Sequence, residues 1–271
     1  MSVRFLIAAL ALFASLGAHA QPSTTLLGEY RFDASSTSVI DSSGAARDGS
    51  VVPPGSVAWS NAAPARPGTT GTCGYATFTS AGSAAIPGLP VSTAPGDRTS
   101  VSFWMYWDGT DNMMPIGWDR YDLWLYSGAF GFNTGNSDVF GVSSAGLAGG
   151  WHHVVAVFNN GDYNQNKLYI DGAARTLSQQ LSIQFTPNAQ VQSTMVIGGW
   201  TYNSGYLFSG RIDEVGVYNG ELSPTQVTAL YTAVRDCAPP APTEVPVLVP
   251  TVLAGLALLV GLGGLFGLRR R

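Results

Sequence analysis

Charge is scarce in this chain. Only 11% of its 271 residues are Asp, Glu, Lys or Arg, and Lys167 is the single lysine. Phosphate recognition needs clustered positive side chains, so this scarcity excludes nucleic acid as a partner. The sign of the charge points the same way. Lys and Arg total 13 against 17 Asp and Glu, and removing Arg4, Arg269, Arg270 and Arg271 with the end segments leaves 9 against 17, a net of −8. Histidine is nearly missing too, with His19 near the start and His152 and His153 adjacent to each other. Strand neighbours point to opposite faces, so these two do not line one site. There is no G-x-S-x-G elbow, H-E-x-x-H pair or P-loop, which removes three large enzyme classes. Cysteine is limited to Cys73 and Cys237, and no Cys-His arrangement accompanies either, so thiol catalysis has no support.

What is present at the two ends concerns export. Residues 1–20 form a signal peptide: Arg4 supplies the positive charge, Phe5 to Gly17 the apolar run, and Ala18-His19-Ala20 the A-x-A cleavage site. The run is too short for a membrane span, and no Cys near the cleavage point offers a lipid anchor. At the other end, residues 237–246 are a Pro-rich linker, and 247–268 are apolar and long enough to cross a bilayer. The basic tail 269–271 would stay in the cytoplasm. These signals place the chain in the periplasm or cell envelope, anchored or released to the cell surface. Two cysteines in an oxidising compartment read as one disulfide, Cys73–Cys237.

The tail resembles the C-terminal sorting signals of Gram-negative exported proteins, the PEP-CTERM type and its IPTL-CTERM relative. Val245-Pro246-Val247-Leu248 stands where the latter carries its Ile-Pro-Thr-Leu-like box. It departs from the Val-Pro-Glu-Pro box of the former and lacks the Ser and Trp that often follow the latter. The resemblance implies a sorting protease as a partner; a plain membrane anchor is the alternative.

Between the ends, residues 21–236 are patterned as β structure. Tyr121 to Tyr126 alternates two side-chain sets, and so does Trp151 to Phe158. Asp171-Gly172 follows Leu168-Tyr169-Ile170 as a hairpin turn pair. Many short strands over about 210 residues suit one all-β domain. Leu207 to Tyr231 is the most informative stretch. Leu207, Ile212, Val215 and Val217 supply a strand, Asn219-Gly220 ends it, and Ser223-Pro224-Thr225-Gln226 opens a short capped helix. Asp213 and Glu214 are adjacent in that strand, where a half-buried strand normally shows one polar position at a time.

This closing segment resembles that of laminin-G-like, concanavalin A-like domains. Further pieces occur in the same order: Glu29 to Asp33, Asp41-Ser42-Ser43-Gly44, Ser102-Phe103-Trp104, Trp151 to Val154, Lys167 to Gly172, and Ile197-Gly198-Gly199. The resemblance covers about residues 26 to 234. It implies a two-sheet antiparallel jelly-roll sandwich with one short helix, followed here by the transmembrane segment. It also implies a structural Ca2+ ion shared by Asp41 and Asp213, with carbonyls from the Ala46–Gly49 loop; turn capping and structural hydrogen bonds are the competing roles.

Two further chemistries need weighing. Jelly-roll glycosidases carry carboxylates at alternate positions of one strand, so that acid and nucleophile share a face. Asp213-Glu214 lacks that spacing, and Glu221 lies past the turn. Exposed aromatics suit the apolar face of a sugar. Trp118, Tyr121 and Trp124 form one cluster, and Trp200, Tyr202 and Tyr206 another, with Asp119, Asp122, Asn203 and the loop Asn133 to Asp138 supplying polar groups. Trp118, Tyr121, Trp200 and Tyr202 are the expected ligand contacts, whereas Trp104 and Trp151 are expected in the core. The sequence thus describes an exported, non-catalytic module that binds carbohydrate, exopolysaccharide or a surface protein. A glycosidase or polysaccharide lyase on the same fold, and a structural surface or matrix protein, are the alternatives.

Overall fold

Among the described residues, short runs of β-branched and aromatic residues, cut by Gly and Asn-containing turns, build seventeen strands, one 3-10 turn at Tyr163–Gln165 and one α-helix. The computed structural model describes residues 24–33, 38–60, 73–135, 137–184, 189–200 and 205–233. In chain order the strands are β1 (Thr25–Tyr30), β2 (Ser38–Val39), β3 (Gly49–Val52), β4 (Val57–Ser60), β5 (Tyr75–Thr79) and β6 (Ser83–Ile86). The middle supplies β7 (Arg98–Trp107), β8 (Ile116–Trp118), β9 (Tyr121–Tyr126), β10 (Ala129–Asn133), β11 (Val139–Ser143) and β12 (Trp151–Asn159). Then come β13 (Lys167–Ile170), β14 (Ala173–Arg175), β15 (Ser178–Leu181), β16 (Met195–Ile197), β17 (Ser209–Asn219) and helix α1 (Pro224–Thr232).

These strands form two antiparallel sheets. The first has the order β14-β13-β12-β7-β17-β5-β4, with β1 also paired to β17; the second runs β15-β11-β10-β9-β8-β16-β6-β3-β2. Alternate residues of each sheet meet between them. Phe103, Met105, Val154, Ala156, Phe158, Ile212 and Val215 come from the first, Leu123, Leu125, Phe130, Phe132 and Ile197 from the second, and all are fully buried. The ring of Phe158 stands nearly perpendicular to those of Trp118, Tyr121 and Phe132, each at 5.0 Å. The all-β sandwich with one short helix is therefore as the sequence implied.

The polar pair in β17 has a structural cause. Asp213 lies opposite Trp104 and Gly216 opposite Ser102, so Glu214 and Val215 together face the one residue between. This is a β-bulge, with Glu214 at φ 49° and Asp213 Oδ1 accepting the Glu214 N–H. The extra residue keeps Ile212 on one side and Val215 and Val217 on the other side of the bulge facing the core. Without it, one polar residue in two would break the alternation.

Helix α1 covers the outer face of the first sheet. Ser223 caps it, its hydroxyl accepting the Gln226 N–H while the Gln226 side chain accepts the Ser223 N–H. Val227 packs with Leu222, Val155, Val157 and Tyr169, and Tyr231 stacks on Trp104 at 5.8 Å. Below the helix, one row of the sheet runs Asp213, Trp104, His153. Ser102 Oγ lies 2.9 Å from His153 Nε2, and Asp171 Oδ1 accepts the His153 N–H. Trp104 and Trp151 are buried as expected, though on this outer face and not between the sheets.

Among the described residues no helix is long and apolar enough to cross a membrane. The signal peptide 1–20, the linker 237–246, the span 247–268, the tail 269–271 and Cys237 lie outside the described residues.

Candidate functional site: an aromatic cleft on the second sheet

Strand parity decides which aromatics of β9 turn away from the core between the sheets, although Trp124 itself stays only 4% exposed. Tyr121, Leu123 and Leu125 face the core, so Asp122, Trp124 and Tyr126 face outward. Trp124 stacks on Tyr126, with ring centroids 4.3 Å apart and planes 7° apart. The edge of Tyr206 meets Trp124 at 5.6 Å, and Trp200 meets Tyr206 at 5.9 Å. Tyr206 is held by its carbonyl, which accepts the Met114 N–H at 2.9 Å. Trp124, Trp200 and Tyr206 wall a cleft of about 270 Å³, with Tyr126 behind Trp124.

Arg120 lies in the two-residue turn joining β8 to β9, Asn133 ends β10, Gly135 and Ser137 belong to the β10–β11 connection, and Met114 completes the lining. That connection is stapled from within. Asp138 accepts both the N–H and the hydroxyl of Thr134, and Asn133 Oδ1 accepts the Gly135 N–H. Behind the lining, the Asn133 amide donates to both oxygens of Asp122, at 3.0 and 3.1 Å. Asp122 is fully buried, and it fits only because Gly117 opposite has no side chain: a Cβ there would stand 2.1 Å from the Asp122 Cβ.

Electrostatics follow from this burial. Desolvation drives the Asp122 carboxyl well above the ordinary carboxylate range, and the nearby Asp138 and Asp119 charges add to it against the Asn133 hydrogen bond. Burial raises Asp138 as well, against its Thr134 hydrogen bonds. The described residues that line the cleft include no carboxylate; both acids stand behind the lining.

The structure corrects two of the expected ligand contacts. Trp118 and Tyr121 are fully buried, and the Tyr121 hydroxyl donates to the Asn159 carbonyl and to Asn166, so neither ring meets solvent. Trp200 is half-buried and lines the cleft. Tyr202 and Asn203 lie outside the described residues. Trp124, Tyr206, Asn133 and Ser137 belong to stretches that the sequence marked as candidate clusters, whereas Arg120 gave no signal. The alternation in Tyr121–Tyr126 was the means of choosing Trp124 over Tyr121.

Asp41 is engaged by backbone N–H groups of its own turn and of β1. Asp41 Oδ1 accepts N–H groups from Glu29 and Ser43, and Oδ2 accepts that of Arg47. Burial raises this carboxyl, but the hydrogen bonds from Ser43, Glu29 and Arg47 outweigh it and hold the pKa below the ordinary value. An acid ringed by N–H donors suits turn capping, while a hard cation wants a ring of oxygens. Asp213 belongs to the row under α1. These placements do not fit a calcium ion shared by Asp41 and Asp213. Among the described residues, no group of three or more His, Cys, Asp or Glu is placed to hold a metal.

A two-sheet β-sandwich with an aromatic cleft on the exposed face of one sheet defines a lectin-like fold. The chain belongs to the concanavalin A-like lectin/glucanases superfamily, whose Laminin_G_3 profile matches residues 78–228. Domain 4 of AbnA, a GH43 extracellular arabinanase from Geobacillus stearothermophilus solved in complex with arabinotriose, superposes with a TM-score of 0.53. It is 21% identical, over 78% of this chain and 100% of that one. The binding domain of Paraclostridial Mosquitocidal Protein 1 gives a TM-score of 0.52 at 12% identity, over 76% of this chain and 51% of that one. The botulinum neurotoxin serotype G binding domain gives 0.52 and 12%, over 76% and 50%. This chain thus spans about half the length of the two toxin domains. Identities this low speak for the shared fold alone. No curated protein matches the sequence.

Proposed function

We propose that this protein is an exported, non-catalytic module that binds carbohydrate, such as an exopolysaccharide, at the cell envelope. The cleft walled by Trp124, Trp200 and Tyr206 carries the proposal. Aromatic faces match the C–H face of a pyranose, and Asn133, Ser137 and Arg120 offer polar groups for its hydroxyls. The arabinotriose held by the arabinanase domain supports a sugar as ligand on this scaffold. Hydrolysis needs a pair of carboxylates flanking the bond. Here no carboxylate belongs to the described lining, and Asp122 and Asp138 are buried behind it, which favours retention of the glycan over its cleavage. The apolar segment 247–268 and the basic tail hold the module in the envelope, or direct it to a sorting protease that releases it.

A glycan array probed with the full chain in detergent tests this. Retention of a polysaccharide is expected, and Trp200→Ala should weaken it by roughly tenfold, the worth of one aromatic contact of about 1.4 kcal/mol. Release of sugar without retention, or binding indifferent to Trp200, would overturn the proposal.

A further inference from the structure

The cations of this acidic domain are almost all committed to its own structure. Arg31 pairs with Glu29, and Arg98 and Lys167 share Glu221. Arg47 donates to the Leu27 carbonyl and Arg175 to that of Ile170. The guanidinium of Arg211 lies 5.2 Å from the Tyr75 ring centre and 4.9 Å from that of Tyr106. Arg120 is the exception among the described residues: it is exposed, has no ion pair or hydrogen-bond partner, and lines the aromatic cleft. Its neighbour Asp119 does not pair with it.

Position adds to this. Arg120 is at φ 54°, in the left-handed region that favours glycine. Several turns of this chain hold non-glycine residues in that region, so the conformation by itself marks nothing. At a two-residue hairpin turn, however, glycine would fold more easily. An arginine there gives the fold nothing it can be seen to use, and puts a planar five-donor fork at the mouth of a cleft walled by Trp124, Trp200 and Tyr206.

We infer that the cleft takes a carboxylated sugar, a hexuronate unit of an acidic polysaccharide, with Arg120 gripping the carboxylate while the rings take the apolar face of the sugar. This rests on the glycan-binding proposal above and narrows its ligand. The guanidinium fork matches a carboxylate by two parallel hydrogen bonds, a fit that a lysine ammonium lacks. No carboxylate among the described lining residues competes for it. The net −8 of the exported part would repel a polyanion at long range, so a local cation is what such a ligand needs.

The experiment compares oligogalacturonate and oligomannuronate with their carboxyl-reduced, neutral counterparts, using the full chain in detergent and titration calorimetry. The uronates are expected to bind at least tenfold more tightly than the neutral forms. Arg120→Gly should erase that preference without lowering the melting temperature, since glycine suits the turn, and Arg120→Lys should recover only part of it. Sulfated oligosaccharides serve as a second anionic arm and should bind less tightly than the uronates. Equal binding of neutral and acidic sugars, lost in Trp200→Ala but unchanged in Arg120→Gly, would overturn this inference and leave the glycan proposal standing. Binding of none of these sugars, with none on the wider array, would overturn both. Sulfated sugars bound best through Arg120 would show that the anion is not a carboxylate.

Discussion

Two aspartates set opposite pH dependences because one is buried among acids and the other among N–H donors. The raised pKa of Asp122 means that its contribution is fully present below the unfolded value near 3.8 and is lost as pH rises through the folded value. Asp41 works the other way: its lowered pKa contributes stability above 3.8 that disappears as pH falls. The first effect can be isolated. Asp122→Asn keeps the size of the side chain and removes its titration, so the fall in melting temperature from about pH 4 towards neutrality should become shallower than in the wild type. Asp138, also raised, leaves a residual slope. An identical pH profile would show that Asp122 does not titrate differently on folding. The Asp41 turn cap on Ser43 was legible as one of two roles, but the Asp122 environment and the reach of Asp41 to Glu29 were not. Asp122 depends on Gly117 across the sheet, and Asp41 on Glu29, twelve residues earlier. The aromatic sites show the same limit: Trp118 and Trp124 are equally aromatic, and only the strand's phase relative to the core separates them.

At the level of elements the sequence carried more, because capping and turn chemistry are local. Ser223, Pro224 and Gln226 marked the start of α1, and Asp171-Gly172, both with positive φ, form the β13–β14 turn. The bulge in β17 left a trace, the adjacent Asp213 and Glu214, whose meaning needed the register against β7. Why the pieces of the family pattern recur also becomes physical here. Trp104, His153, Asp171 and Asp213 come from four of those pieces and meet on one side of the first sheet, around the ground that α1 covers. Trp104 and His153 meet Tyr231 of the helix, and Asp171 fixes the His153 backbone, so these pieces identify the scaffold without naming a ligand. Ser223→Ala removes the capping box at the entry to that helix and should cost about 1 kcal/mol, read as a shift in the urea midpoint with unchanged slope. Val227→Ala, in the buried contact with Val155 and Leu222, should cost about 2 kcal/mol. If the cap change cost as much as the core change, the helix would depend on its first turn more than on its packing.

Across the whole molecule, the first strand pairs with the last. Thr25 lies opposite Asn219, and the Gln226 amide donates to Thr24, so the first and last described strands of the sandwich are fastened to each other. The next feature expected after α1 is the Cys73–Cys237 bridge, which would join the start of β5 to the chain beyond the helix. Closing so long a loop stabilises by about 5 kcal/mol in the chain-entropy account. It would also secure the fold just before the Pro-rich linker, the stretch most open to proteases. One measurement addresses the bridge and the tail together, intact mass of the protein recovered from the producing cells without reductant. A chain starting at Gln21, two hydrogens lighter than its dithiol form and refractory to alkylation, is the expected product, and reduction should lower its melting temperature. The same spectrum gives the C-terminus. An end upstream of Val249 in surface-released material is expected of a sorting signal, whereas a chain keeping Arg271 would make residues 247–268 a simple anchor. Alkylation of both cysteines before reduction would leave β5 and the linker unjoined, and α1 would then be held by its capping box, by the Gln226–Thr24 hydrogen bond and by the packing of Val227, Leu230 and Tyr231.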